Sequence, residues 1–168
     1  MKNIVVVSAS NNNNLKLAQE FEKYLSSQGS KVEVVNLVDV DLPLYSPKLD
    51  SDESRPQGLD KYVDLMTNCD GAVFVAPEYN GSIPPNLNNF VAWLSRCGKE
   101  DWRSCFNGKP AVIATHSGGG GAHVLIAMRQ QFSYVGMNVL GRQIQTNYQK
   151  PLNQDSLKAT CDELLKLS

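Results

Sequence analysis

The chain has 168 residues, of which 42% are hydrophobic, and this size fits a single domain over residues 1–168 with a substantial core. Its 16 Lys and Arg residues are interspersed with 17 Asp and Glu residues, so the formal net charge is -1. This balance disfavours nucleic acids and anionic membranes as partners.

The cysteines and the N-terminal residues indicate the cellular compartment in which the protein works. The four cysteines are scattered, with no Cys-x-x-Cys pair and no histidine at metal-ligand spacing beside them, so we expect reduced thiols and no metal site. The apolar run after Lys2 is too short for a secretory signal, and no run approaches the roughly 18 apolar residues of a membrane span. These features predict a cytoplasmic protein.

Strand-like and helix-like segments alternate along the chain. Short runs rich in β-branched residues and bounded by turn residues predict four strands and a weaker fifth. These runs are Lys2–Ser8, Lys31–Asn36, Gly71–Ala76, Pro110–Thr115 and Met137–Leu140. Their continuous apolar character is typical of parallel strands that are covered on both faces.

Each predicted strand is followed by an amphipathic segment in which apolar residues recur at steps of three and four, as on one face of a helix. The five segments are marked by Leu17 to Leu25, Leu59 to Met66, Leu87 to Leu94, Leu125 to Val135 and Leu157 to Leu165. Five strand-helix units predict an open parallel sheet with helices on both faces. Ligands bind such a sheet beyond the carboxyl ends of its strands.

The first of three polar loops at these ends is "SASNNNN", residues 8–14. Its hydroxyls and amides, together with the N–H groups of the helix that follows, suit a phosphate. The alternative is that Asn and Ser simply cap the helix, although four successive amides exceed what one cap needs. The loop matches neither Walker A nor Gly-x-Gly-x-x-Gly, which disfavours ligands bound through those motifs.

The second loop is "PEYNGSIPP", residues 77–85. The Asn80-Gly81 pair favours a tight turn with positive φ, and Pro84 and Pro85 mark the start of a helix, so the loop is expected to be rigid. Tyr79 and the amides of residues 80–83 suit a planar heterocycle. A stiff turn without a ligand explains the same residues equally well.

The third loop, "THSGGGGAH", places four glycines where backbone can approach a ligand closely. A mobile linker is the alternative. His116 and His123 flank the glycines, but no carboxylate or nucleophile is linked to either in the sequence. We therefore expect both histidines to be structural or solvent-facing.

The stretch "PEYNGSIPPNLNNFVAWLS", Pro77 to Ser95, closely resembles the signature of the NADPH-dependent FMN reductase family of flavodoxin-like flavoproteins. "DLPLYSP" and the region from Ser117 to Leu140 also occur in the family's order. The resemblance implies a flavodoxin-like three-layer α/β/α sandwich with a five-stranded parallel sheet of order 2-1-3-4-5. It also implies FMN as cofactor and NADPH or NADH as co-substrate.

The family's motifs place FMN against the three loops, and no catalytic side chain is implied. The residues implied for the phosphate are Ser8, Ser10, Asn12, Asn13 and Asn14. Those implied for the isoalloxazine ring are Pro77, Glu78, Tyr79, Asn80, Gly81 and Ser82, and those for its edge are Ser117, Gly118 and Gly119. The chain departs from the family pattern in having no Arg between Ser8 and Leu15.

The resemblance predicts an FMN-dependent NAD(P)H oxidoreductase whose acceptor is free flavin, a quinone, an azo compound or a metal oxyanion. The alternatives are a flavodoxin-like electron carrier and a flavin-binding protein without NAD(P)H turnover. The resemblance also implies a homodimer or homotetramer, for which Trp93 and Trp102 offer apolar contact area unless both indoles pack inside the monomer.

Overall fold

The computed structural model describes residues 1–50, 55–97 and 101–168. In these residues, strands and helices alternate along the chain as predicted, except that two short strands precede the last helix. The elements are β1 (Asn3–Ser8), α1 (Asn13–Ser27), β2 (Lys31–Asn36), α2 (Leu59–Thr67), β3 (Gly71–Val75), α3 (Pro85–Leu94), β4 (Pro110–His116), α4 (Ala122–Tyr134), β5 (Asn138–Val139), β6 (Ile144–Thr146) and α5 (Gln154–Leu167).

The strands form one parallel sheet of order β2-β1-β3-β4-β5, which confirms the predicted order, and β6 also pairs with β4. β5 lies along the start of β4, and β6 lies along its end. The two short strands therefore share the fifth position of the sheet. The fifth strand predicted over Met137–Leu140 is present as β5 but is shorter, since only Asn138–Val139 is in strand register with β4, although the N–H of Leu140 also bonds to Ala111 at 2.8 Å.

Arg129 of α4 accounts for the interruption between β5 and β6. Its guanidinium donates to the carbonyl of Leu140 at 2.8 Å and to the side chain of Gln143 at 3.1 Å. A longer contact of 3.4 Å reaches the carbonyl of Val139. The carbonyls at the end of β5 thus bind a side chain, and the chain rejoins β4 only at Ile144.

Alternate residues of each strand enter two hydrophobic cores, one on each face of the sheet. In β1, Val5 and Val7 pack on the same side as α3 and α4, whereas Ile4 and Val6 pack on the same side as α1 and α5. This alternation follows from the two-residue period of a strand. Because both faces are covered, the strands read as continuous apolar runs. Among the described residues, no helix has the length and apolarity to cross a membrane.

Trp93 joins α3 to the segment that follows β2. Its side chain is completely buried, and Nε1 donates to the carbonyl of Pro43 at 2.8 Å. Asn89, one turn earlier, accepts from the N–H of Tyr45 at 2.7 Å. The prediction that Trp93 offers contact area to another subunit is therefore wrong, whereas Trp102 is 43% exposed.

We expect Trp93→Phe to lower the free energy of unfolding by about 2 kcal/mol, because it removes the hydrogen bond to Pro43 and leaves space in the core. Trp102→Phe is the matched control, with an expected change below about 0.5 kcal/mol at this exposed position. Urea denaturation of both variants measures the difference. Equal losses in the two variants would contradict the structural role of Trp93.

Candidate functional site

The three polar loops leave the sheet side by side at the carboxyl ends of β1, β3 and β4. We call them the first loop (residues 8–14), the turn loop (residues 77–85) and the glycine loop (residues 117–121). The ladder continues just past the strands, since the N–H of Ala9 bonds to Val75 at 2.9 Å and that of Ala76 to Ala114 at 3.0 Å. The loops consequently begin at one edge of the sheet, as the sequence predicts.

The first loop presents the amino end of α1 to solvent. Asn12 has a φ of 58° and precedes the helix, but its side chain makes no capping hydrogen bond. The backbone N–H groups of residues 13–15 have no acceptor in the described part of the chain. These donors and the helix dipole give the end of α1 a partial positive charge. The structure therefore shows no side-chain capping bond that would support the interpretation of this loop as a simple helix cap.

Two predicted phosphate ligands instead hold the first loop in place. The amide of Asn14 donates to the carbonyl of His116 at 3.0 Å and accepts from its N–H at 2.8 Å, and the side chain is 4% exposed. The buried hydroxyl of Ser8 donates to the carbonyl of Ser10 at 2.8 Å. These two side chains are thus already paired within the protein. Asn12 lies on the exposed side of the loop.

The turn loop contains a tight, double hydrogen-bonded turn. The N–H of Tyr79 bonds to the carbonyl of Ser82 at 3.1 Å, and the reverse bond measures 3.0 Å. Asn80 and Gly81 have φ values of 51° and 69°, which is the pattern of a type I′ turn and confirms the positive φ predicted for Gly81. Residues 79–82 are all exposed, with no acceptor for the N–H groups of Asn80 and Gly81 among the described residues.

Glu78 and Ser117 fasten the turn loop to the glycine loop. The N–H of Glu78 donates to the hydroxyl of Ser117 at 2.8 Å. The Glu78 carboxylate accepts from the N–H groups of His123 and Val124 at 3.0 and 3.1 Å, at the amino end of α4. Both predicted ring contacts therefore use their side chains to position backbone. The charge of Glu78 lies against the helix dipole of α4, which stabilises it there.

The glycines of the third loop have different structural reasons. Gly121 has a φ of 73°, and a Cβ there would lie 2.6 Å from the side chain of Thr115, so packing requires glycine. At Gly119 a Cβ would meet nothing within 4 Å, and at Gly118 it would meet only Tyr148, at 3.6 Å. Because neither exposed glycine has a positive φ, packing and backbone strain do not explain them. The two positions leave room for close approach to the backbone.

Two amides that contact the first loop were missed in the sequence. Asn86 of α3 donates to the carbonyl of Ala9 at 2.9 Å, and Asn36 at the end of β2 donates to the side chain of Asn11 at 2.8 Å. Both amides lie far from the loop along the chain. A helical Asn one residue after two prolines was the one available signal, and it is also common in plain helix starts.

The three loops contain Ser and Tyr hydroxyls but no cysteine, and the cysteines elsewhere in the chain have raised pKa values. Burial raises the pKa of the Cys97 thiol to about 11 and that of Cys161 to about 12, so both are protonated at neutral pH. Within the described ranges, no group of three or more potential metal ligands occurs. His116 contacts Thr146 and the ring of Tyr148, and His123 is exposed. The edge therefore presents mainly N–H groups to a ligand.

A family model described as NADPH-dependent FMN reductase matches residues 2–150. The chain belongs to the NADPH-dependent FMN reductase family. This confirms the resemblance seen in the turn loop.

Named relatives and a solved structure agree with the family. The chain is 34% identical over 104 residues to a quinone reductase of Escherichia coli K12, a match that covers 61% of this chain and 53% of that protein. It is 31% identical over 138 residues to the NAD(P)H-dependent FMN reductase LOT6 of Saccharomyces cerevisiae, covering 76% and 66%. The flavoenzyme FerB of Paracoccus denitrificans has the same fold, with a TM-score of 0.81 at 21% identity over 99% of this chain and 97% of that one. The chain thus spans about half the length of the bacterial relative.

We expect Asn14→Ala to lower the free energy of unfolding by about 2 to 3 kcal/mol even without a flavin, because it leaves two backbone groups of His116 unpaired. Asn13→Ala is the control, since the Asn13 side chain makes no hydrogen bond to the described residues and is partly exposed. Its expected cost is below about 0.5 kcal/mol. Denaturation of flavin-free protein measures both, and a larger cost at Asn13 would contradict the clamp.

Proposed function

We propose that this protein is an FMN-dependent NAD(P)H oxidoreductase that reduces a small acceptor of the quinone or free-flavin class. The observation that carries the proposal is the exposed edge of unpaired N–H groups built by three cross-tied loops, in a chain of the FMN reductase family. When bound, FMN supplies the redox chemistry by accepting a hydride from NAD(P)H and passing electrons to the acceptor. The protein has to bind and orient it.

The first loop suits the phosphate of FMN. The N–H groups of residues 13–15 are unpaired in the described part of the chain, and the dipole of α1 adds to their partial charge. The side chains of Ser10 and Asn12 can add neutral donors, because Asn14 and Ser8 hold the backbone that carries them. Phosphate contact through Ser10, Asn12 and Asn13 follows as part of the proposal.

The turn loop and the glycine loop suit the ring. Gly118 and Gly119 allow close approach, and the N–H groups of Asn80 and Gly81 are available as donors. The carboxylate of Glu78 accepts from two N–H groups of α4, and the helix dipole partly offsets its negative charge at this edge. Fixed N–H groups of this kind stabilise negative charge that develops on a bound group without having to reorganise.

A groove between α3 and α4 supports our proposal that the protein forms a homodimer. The groove holds about 650 Å³, and its lining combines Val91, Ala92, Trp102, Tyr134 and Val135 with the polar residues Asn88, Ser95, Arg96 and Gln131. Trp102 and Tyr134 are 43% and 78% exposed, with ring centroids 6.3 Å apart. A monomeric mass by light scattering at micromolar concentration would count against pairing.

Four free cysteines fit a further proposal, that the protein works in the cytoplasm.

Stopped-flow mixing of FMN-loaded protein with NADPH or NADH tests the proposed activity. We expect the absorbance of oxidised flavin to fall after mixing and to return when a quinone is added. An electron carrier or a flavin-binding protein without turnover would show no such loss with either nucleotide. That result would overturn the oxidoreductase assignment while leaving flavin binding intact.

Gly81→Val should weaken FMN binding by about tenfold or more and slow flavin reduction, because a side chain at this turn would meet the ring. Gly29→Val is the matched control. Both glycines have positive φ, at 69° and 83°, and a Cβ at either would meet nothing within 4 Å of the protein itself. The two variants therefore carry similar backbone strain, of roughly 1 to 2 kcal/mol. Equal FMN affinity in both would make Gly81 a plain surface turn.

A further inference from the structure

A cavity of about 520 Å³ adjoins the first loop. It lies between α1, the end of β4 and the segment that leads from β6 to α5. Its lining includes Asn13, Lys16, Glu20, His116 and Tyr148. Asn13 is the first residue of α1, so the cavity begins where the unpaired N–H groups of the helix are exposed.

Lys16 brings the only lysine or arginine charge to the residues that line this cavity. Every residue of the first loop itself is neutral. In the described part of the chain, the Lys16 ammonium has no ion-pair partner. Glu20 follows one helical turn later, at the spacing of a helical ion pair, but its carboxylate accepts from the side chain of Gln154 at 3.0 Å. The charge of Lys16 is therefore available to a ligand.

The geometry of a helix directs this charge towards the end of α1. Side chains of an α-helix lean towards its amino end, so the long side chain of Lys16, in the first turn, can reach the end of the helix where the N–H groups of residues 13–15 are exposed. An ammonium beside a helix amino end combines a full charge with fixed dipoles. Phosphate is the ligand class that uses both.

His116 shows that the cavity wall contains a polar atom without a protein partner. The hydroxyl of Thr146 donates to the carbonyl of Thr115 at 3.0 Å, so it accepts from His116 Nδ1 at 3.1 Å, and we assign the proton to that nitrogen. Nε2 of the same ring is buried and has no hydrogen-bond partner among the described residues. With the proton on Nδ1, this nitrogen is a hydrogen-bond acceptor, so it requires a donor and does not itself bind a phosphate oxygen.

We propose that Lys16 is the cation that binds the phosphate of FMN, at the end of this cavity beside Asn13. The proposal rests on the proposed function, because it takes FMN as the cofactor. Lys16, the fourth residue of α1, thus supplies the charge that the neutral first loop lacks. Phosphate recognition is then shared between α1 backbone and one side chain from its first turn.

The dissociation constants of FMN and of riboflavin, measured by flavin fluorescence quenching, test this role. Riboflavin has the same ring and ribityl chain but no phosphate. We expect Lys16→Gln to weaken FMN binding by about tenfold or more and to leave riboflavin binding unchanged. Lys16→Arg keeps the charge and should retain most of the affinity for FMN.

Lys23→Gln is the matched control, because it removes the same charge from an exposed position of the same helix. Lys23 lies seven residues further along α1, which is about 10 Å from Lys16. We expect it to change neither affinity. Raising the salt concentration should weaken FMN binding more in the parent protein than in Lys16→Gln, since the lost contact is ionic.

The proposal is overturned if Lys16→Gln weakens both flavins equally, or if it changes FMN affinity no more than Lys23→Gln does. If the parent protein binds FMN, either of these results leaves the proposed function intact. A parent protein that binds neither FMN nor riboflavin would overturn the proposed function itself. The three outcomes are distinguished by the same titrations.

Discussion

The clamp between Asn14 and the backbone of His116 is the interaction on which the candidate site depends. One amide satisfies both the N–H and the carbonyl at the end of β4, and it comes from the first turn of α1. β1 and β4 are not neighbours in the sheet, since β3 lies between them. The clamp therefore crosses a strand and fixes the amino end of α1 above the middle of the sheet edge.

A second clamp works in the same way on the other two loops. Glu78 leaves β3 and binds the amino end of α4, while Ser117 holds the backbone of Glu78. Buried polar groups at the ends of strands must find partners, and here they find them in each other's loops. The consequence is that the unpaired N–H groups in the first loop and the turn loop have fixed positions, which would lower the cost of binding a ligand there.

The same arrangement decides the electrostatics of the edge. A carboxylate at this edge is unfavourable for an electron-rich ligand, but the amino end of α4 partly offsets the charge of Glu78. The protonated, buried thiols add neither nucleophile nor charge. What remains is a set of neutral and positive donors, and these fit a protein that binds a redox cofactor and leaves the chemistry to it.

The sequence alone determined most of the elements and the conformation of the turn loop. Continuous β-branched runs identified β1 to β4, since only strands covered on both faces have that character, and Asn80-Gly81 specified a turn with positive φ because other residue pairs are strained there. The motif of the turn loop identified the family. β6 was missed because three residues, Ile144–Thr146, are too few for any periodicity to be read.

Only the tertiary structure decided which polar side chains are used up inside the protein and which are left for a ligand. Asn12, Asn13 and Asn14 are identical in the sequence, yet Asn14 alone is buried against β4, because the helix period turns it inwards. From the sequence, Trp93 could pack either against a partner or in the core. The structure shows that it is buried, with its indole N–H bonded to the carbonyl of Pro43. Hydrogen bonds between residues far apart in the chain are set by packing, so they cannot be predicted from the local sequence pattern.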